Sequence, residues 1–167
     1  MNDKNTRQAR SSTLYSDQDY TDISGQITAR WVRVAIPCVL LLALLIYSFT
    51  VRIEWITTVC TILIGVILIA AYDLAIKPLV CYRKHLDSVL YGRARETTLP
   101  FVAISEDVNL VDGVNCRSVT CLDMDAKGRP YDRLFYFDCM KDFPDFKEGE
   151  MLRIVHHDLL VADIQRA

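Results

Sequence analysis

The chain has 167 residues, 51% of them apolar, with 19 Lys and Arg against 21 Asp and Glu for a formal net charge of -2. That length allows one ordinary domain, or a membrane anchor followed by a small domain. Residues 92–167 hold ten Lys or Arg against fourteen Asp or Glu, a net of -4, which argues against a nucleic-acid surface.

Residues 1–30 are polar. Their "SSTLYSDQDYTDISGQ" is rich in Ser, Thr and Asp and lacks periodicity, so a flexible tail is expected there. Two apolar runs follow, 31–50 and 55–76, each about as long as the roughly 20 residues that cross a hydrocarbon core. A single helix over both would bury Arg52 and Glu54 at its middle, at about 2.5–3.5 kcal/mol per charge. Two transmembrane helices joined by a short outer turn at 51–54, "VRIE", avoid that cost. Trp31 and Tyr47 bracket the first run, and Trp55 and Tyr72 the second. At 1.5 Å per residue each pair is about 24–26 Å apart, close to the spacing of the two membrane interfaces.

Lys4, Arg7, Arg10, Arg30 and Arg33 precede the first span, and Lys77, Arg83 and Lys84 follow the second; only Arg52 lies between. The positive-inside rule then expects both termini in the cytoplasm of an inner or plasma membrane protein. Thr57, Thr61 and Gly65 share one face of the second span at near-i+4 spacing. Small residues let another helix approach closely, whether the first span, a second copy or a membrane-protein partner. Asp73 is the only acid within the spans. Four residues before Lys77, it suits an interfacial ion pair better than an ion path.

Pro78 opens "PLVCYRKHLDSVLYG", in which Leu79, Tyr82, Leu86, Val89 and Leu90 recur at spacings of three and four. A juxtamembrane amphipathic helix is expected over 77–91, ended by Gly92. Its apolar face would lie on the inner leaflet, with Lys77, Arg83 and Lys84 at anionic headgroups, or cover the domain that follows. Residues 92–167 then alternate short runs rich in Val, Ile, Thr, Phe and Tyr with turn signals at Asp112-Gly113, Gly128, Gly149 and Asp158. Five short strands predict a small all-β cytoplasmic barrel of the OB or SH3-like kind.

Three patterns suggest chemistry. "HHD" at 156–158 offers metal-ligand residue types. Adjacent strand residues point to opposite faces, though, so His156 and His157 would not share an ion, and a turn is expected. "DMDAKG" at 123–128 places Asp123, Asp125 and Gly128 at calcium-loop positions. Lys127 and Leu134 stand where oxygen ligands are required, so a hairpin turn is expected here too. The six cysteines form no C-x-x-C and are read as packing residues. No metal and no cofactor is expected.

Over residues 31–167 the layout resembles that of small bacterial membrane proteins of the NfeD kind, a few spans followed by a cytoplasmic β-barrel. The resemblance implies shape alone, because no motif residue is shared. The function expected is a non-enzymatic, membrane-anchored interaction or scaffold module. An accessory subunit of a membrane transport or secretion complex is the alternative, and a ligand- or metal-sensing domain the third. The partners expected are the lipid bilayer and a second copy or another membrane protein.

Overall fold

The computed structural model describes residues 14–52 and 54–167. In chain order it contains helix α1 (Asp17–Val51), helix α2 (Glu54–Ala70), a π-helical turn (Ala71–Ile76) and helix α3 (Lys77–Tyr91). Strands β1 (Arg95–Val111), β2 (Val114–Met124), β3 (Pro130–Asp138), β4 (Met151–His157) and β5 (Leu160–Arg166) follow. The described residues divide into two compact units: one formed by 21–81, the other by 14–20 and 82–167.

In the helical unit, α1 and α2 run antiparallel. Two polar contacts set their register. The hydroxyls of Ser48 and Thr57 are 2.8 Å apart, and the Arg30 guanidinium donates to the Ala75 carbonyl at 2.6 Å. Eighteen residues separate the two contacts on either helix. The helices therefore run side by side for about 27 Å, at 1.5 Å per residue. Between the contacts the less exposed positions include Val34, Cys38, Leu41 and Leu45 on α1, with Pro37 beside them, and Cys60, Ile64 and Ile67 on α2 and Ala71 of the π-helical turn, with Gly65 beside them. Their spacing of three and four residues is that of an antiparallel helix seam. The remaining apolar surface is uncovered: Leu40 and Ile69 are each 67% exposed. Both helices are long and apolar enough to cross a membrane.

Three features differ from the sequence expectation. The turn between the two helices is tighter than four residues, with Val51 ending α1, Arg52 left-handed (φ 57°) and α2 starting at Glu54. No break separates the second span from the next helix, since one helical run extends from Glu54 to Tyr91. Pro78 has no N–H and crowds the carbonyl four residues back. The widened turn just before it, where the Lys77 N–H bonds to the Tyr72 carbonyl, lets the helix pass the proline without stopping. Finally, the expected flexible tail is helical from Asp17 onward, although residues 1–13 lie outside the described chain. Ser16 and Asp19 form a reciprocal cap: the Asp19 N–H donates to the Ser16 hydroxyl (3.3 Å) and the Ser16 N–H to the Asp19 carboxylate (3.0 Å). This is the capping-box geometry.

In the other unit five strands close a barrel in the order β1-β2-β3-β5-β4. β1 is the longest, because it serves two neighbours. Arg95–Pro100 pairs with β4 and Phe101–Val111 with β2, with two bulges that bend the strand around the barrel. Pro100 stands where β1 leaves β4 and a ladder N–H is dispensable. Asp112 and Gly113 both have positive φ (51° and 81°), the requirement of a two-residue type I′ hairpin. β3 and β5 meet in parallel at Tyr136 and Leu160, and the other pairs are antiparallel.

The core is formed by Leu99, Phe101, Val119, Cys121, Phe135, Phe137, Leu152, Ile154, Val161 and Ile164. The connection from β3 to β4 packs Phe143 and Phe146 against this core. Phe143 lies 5.0 Å from Phe137, 5.5 Å from Phe146 and 6.0 Å from Phe101 between ring centroids. Within this unit α3 buries His85, Leu86, Val89 and Leu90. Its apolar face therefore covers the barrel domain, one of the two roles open to it from sequence. Gly92 ends α3 for a steric reason: a Cβ there would lie 2.1 Å from the Ser88 carbonyl and 2.7 Å from the His157 ring.

Candidate functional site

The most concentrated polar chemistry in the barrel unit is a buried cluster where segment 14–20, α3 and the end of β3 meet. Asp138, fully buried, is its centre. Its Oδ2 accepts from the Tyr82 hydroxyl at 2.8 Å and its Oδ1 from the Met140 N–H at 2.9 Å. Tyr15 lies near enough for the charge of Asp138 to act on its hydroxyl. Hydrogen-bond donors are what a carboxyl group removed from water requires. The Tyr15 oxygen lies 3.4 Å from His85 Nε2. The His85 ring stacks on Tyr82, with centroids 6.1 Å apart and an interplanar angle of 18°.

Burial first, and then the negative charge of Asp138, push both tyrosines above the ordinary phenol range, so both remain donors. Burial lowers His85, outweighing the opposing pull of Asp138 and Asp112. The His85 Nδ1 is buried and has no hydrogen-bond partner among the described residues. Outer contacts rim the cluster. Lys141 donates to Asp19 at 3.0 Å, and Tyr91 donates to Asp17 at 2.6 Å. Burial pulls Asp19 upward, but the Ser16 N–H and Lys141 outweigh it and hold its carboxyl below the usual range.

The cluster anchors; it does not activate a nucleophile. Burial, followed by the charge of Asp138, pushes the neighbouring Cys116 thiol up to about 12, and burial raises Cys121 to about 11. Both are inert thiols at neutral pH. Sequence reasoning missed this cluster. Its signals were the S-x-x-D of Ser16 and Asp19 and the Tyr20, Ile23, Ile27 spacing that continues the α1 stripe outward. The partners Tyr15, Tyr82 and Asp138 are too far apart in sequence to be linked by any local pattern.

The residues selected from sequence fall elsewhere. Thr57 meets Ser48 across the helical pair, whereas Thr61 is exposed and bonds back to the Thr57 carbonyl at 2.9 Å. A Cβ at Gly65 would meet nothing within 4 Å. Thr57 thus lies in the seam and Thr61 is exposed, while Gly65 is half-buried with room for a Cβ. Lys77 pairs with Asp73 at 3.5 Å, both side chains more than half exposed. Lys84 is exposed and Arg83 half-buried.

His156 and His157 point to opposite sides of β4. His156 is 1% exposed, 5.0 Å from the Phe135 ring, and bonds to Thr97 (3.1 Å) and the Asp158 carbonyl (2.5 Å). His157 Nδ1 donates to the Arg93 carbonyl at 2.8 Å. The "DMDAKG" stretch forms the β2–β3 hairpin turn. Asp123 accepts from Tyr131 and Arg133, both at 2.9 Å, so its carboxylate serves the hairpin. Among the described residues no three His, Cys, Asp or Glu side chains gather as metal ligands. A cleft of about 490 Å³ opens along β1, β4 and β5, lined by Arg95, Glu96, Arg153, Asp163 and Gln165. Its charges are largely paired within it, Arg153 binding Glu96 through two nitrogens at 2.5 and 2.9 Å.

The chain matches no family model, no curated protein and no solved structure.

Proposed function

We infer that this chain is a non-enzymatic membrane-anchored interaction module. Its helical hairpin crosses an inner or plasma membrane and presents the barrel on the cytoplasmic side. The supporting observation is the uncovered apolar surface of α1 and α2, with Leu40 and Ile69 each 67% exposed. Surface of this extent and length needs a bilayer to cover it. The antiparallel hairpin brings both ends of the pair to one side, and the Lys and Arg on that side favour the cytoplasm. The strand order, with a long β1 closing on β4 and a parallel β3–β5 contact, supports an OB or SH3-like barrel. Its net charge of -4 turns it toward protein partners instead of nucleic acid.

The test uses the full chain expressed in cells. It should remain with the membrane after alkaline carbonate extraction, and reporters fused at either terminus should read cytoplasmic. Extraction into the soluble fraction, or an outside signal from either reporter, sinks the reading.

The accessory-subunit reading is favoured by one observation: Thr61 is exposed, and a Cβ added at Gly65 would meet nothing within 4 Å. A stoichiometric foreign membrane protein in the detergent-purified complex, displaced by Gly65→Leu, would support it over self-association.

A further inference from the structure

Residues 14–20 are held on the barrel unit by the buried Tyr15, by Leu14 packed against the barrel core and by the edge contact of Tyr20 with Tyr91. Their contacts from Asp17 and Asp19 are solvent-accessible ion-pair and hydroxyl contacts, worth at most about 1 kcal/mol each. Tyr15, by contrast, is 2% exposed and rests edge-on against His85, with ring centroids 6.0 Å apart. His85 is itself 3% exposed. Its Nε2 faces the Tyr15 oxygen, and its Nδ1 faces no acceptor among the described residues.

We propose that residues 14–20 are a proton-sensitive strap: protonation of His85 expels Tyr15 and uncovers the floor formed by Tyr82, His85 and Asp138. The reason is geometric. The protonated ring carries a donor on both nitrogens, and the one at Nδ1 is buried without an acceptor beside a buried positive charge. Such a donor costs about 1–3 kcal/mol, and more when charged. Lifting the strap admits water to that nitrogen and relieves the cost.

The groups facing His85 do not all act in one direction. Tyr15 faces it from the strap and Tyr82 from α3. Asp138 from β3 and Asp112 from the β1–β2 turn both favour its protonation. Cys116 of β2 adjoins the cluster as a neutral thiol, and Lys141, 5.3 Å from the centre of the Tyr15 ring, opposes a second cation. Burial outweighs the two acids and lowers the folded value. A lowered folded value means that docking is fully supported above the ordinary histidine value of about 6.5 and weakens as pH falls below it.

The experiment is hydrogen exchange by mass spectrometry on the full chain in detergent micelles between pH 7.5 and 4. Rates are corrected for the intrinsic effect of pH. Protection in residues 14–20 should fall roughly tenfold or more, the equivalent of one unit of differential proton binding. The midpoint should lie below about 6.5 and above the carboxylate range near 4, while β3 residues 133–137 keep their protection. His85→Gln and His85→Phe cannot titrate, and whichever docks the strap at pH 7.5 should hold it at pH 5. The proposal is overturned by unchanged protection in the parent, by a midpoint near 4 that assigns the change to Asp17 or Asp19, by persistence of the fall in a docked His85 variant, or by β3 opening together with the strap through His156.

Discussion

In the barrel unit Phe135, Phe137, Leu152 and Ile154 are at most 1% exposed, and the buried Asp138 accepts from the Tyr82 hydroxyl and the Met140 N–H. In the helical hairpin the apolar residues are mostly exposed, and a polar contact between the helices lies at each end of the seam. The first region is built to exclude water: side-chain packing determines its stability, and each buried polar atom needs a partner. The second leaves most of its apolar surface uncovered, and its helices meet through a narrow stripe with a polar contact at each end. The same substitution should therefore have different consequences in the two regions.

The largest contrast is Phe135→Ala. It removes a fully buried ring from the barrel core and should cost about 3–5 kcal/mol, much of the stability of a small domain. Denaturant melts followed by circular dichroism in detergent should show β-structure lost at lower denaturant, with helical signal retained. Simultaneous loss of both would mean that the regions are not energetically separate.

Gly92→Ala comes next. Its Cβ would collide with the Ser88 carbonyl and the His157 ring, and overpacking of this kind costs about 1–3 kcal/mol. Gly65→Ala in the hairpin, where no atom lies within 4 Å, should leave stability unchanged in the same melt. Equal effects would erase the distinction drawn between the two glycines.

Ser48→Ala tests the seam. Interhelical hydrogen bonds within membranes average about 0.6 kcal/mol, so a small loss is expected, measured as unfolding of the hairpin in micelles by denaturing detergent. A loss above 2 kcal/mol would show that this contact, more than the apolar surround, holds the helices together. The smallest effect belongs to Asp73→Asn. Its pair with Lys77 is 3.5 Å long and more than half exposed on both sides, worth a few tenths of a kcal/mol. Loss of assembly in that variant would move the centre of interest to the intramembrane acid.

Sequence by itself determined the features set by local composition and period. Two runs of membrane length separated by Arg52 and Glu54 required two helices, since no single helix could bury both charges cheaply. Alternation with Gly- and Asp-marked turns produced five strands, and the adjacency of His156 and His157 placed them on opposite sides of β4. The Ser16–Asp19 cap was not read from the sequence, because the polar residues around it suggested a tail.

Only the tertiary structure decided how distant residues meet. The i+4 spacing of Thr57, Thr61 and Gly65 left open which of them enters the seam, because helix rotation depends on the partner helix. The double pairing of β1, the packing of Phe143 and Phe146 on the barrel core, and the convergence of Tyr15, Tyr82, His85 and Asp138 all join positions far apart in the chain. No local pattern encodes them, because burial and the need to satisfy a buried carboxyl group act on the folded neighbourhood and not on the sequence around each residue.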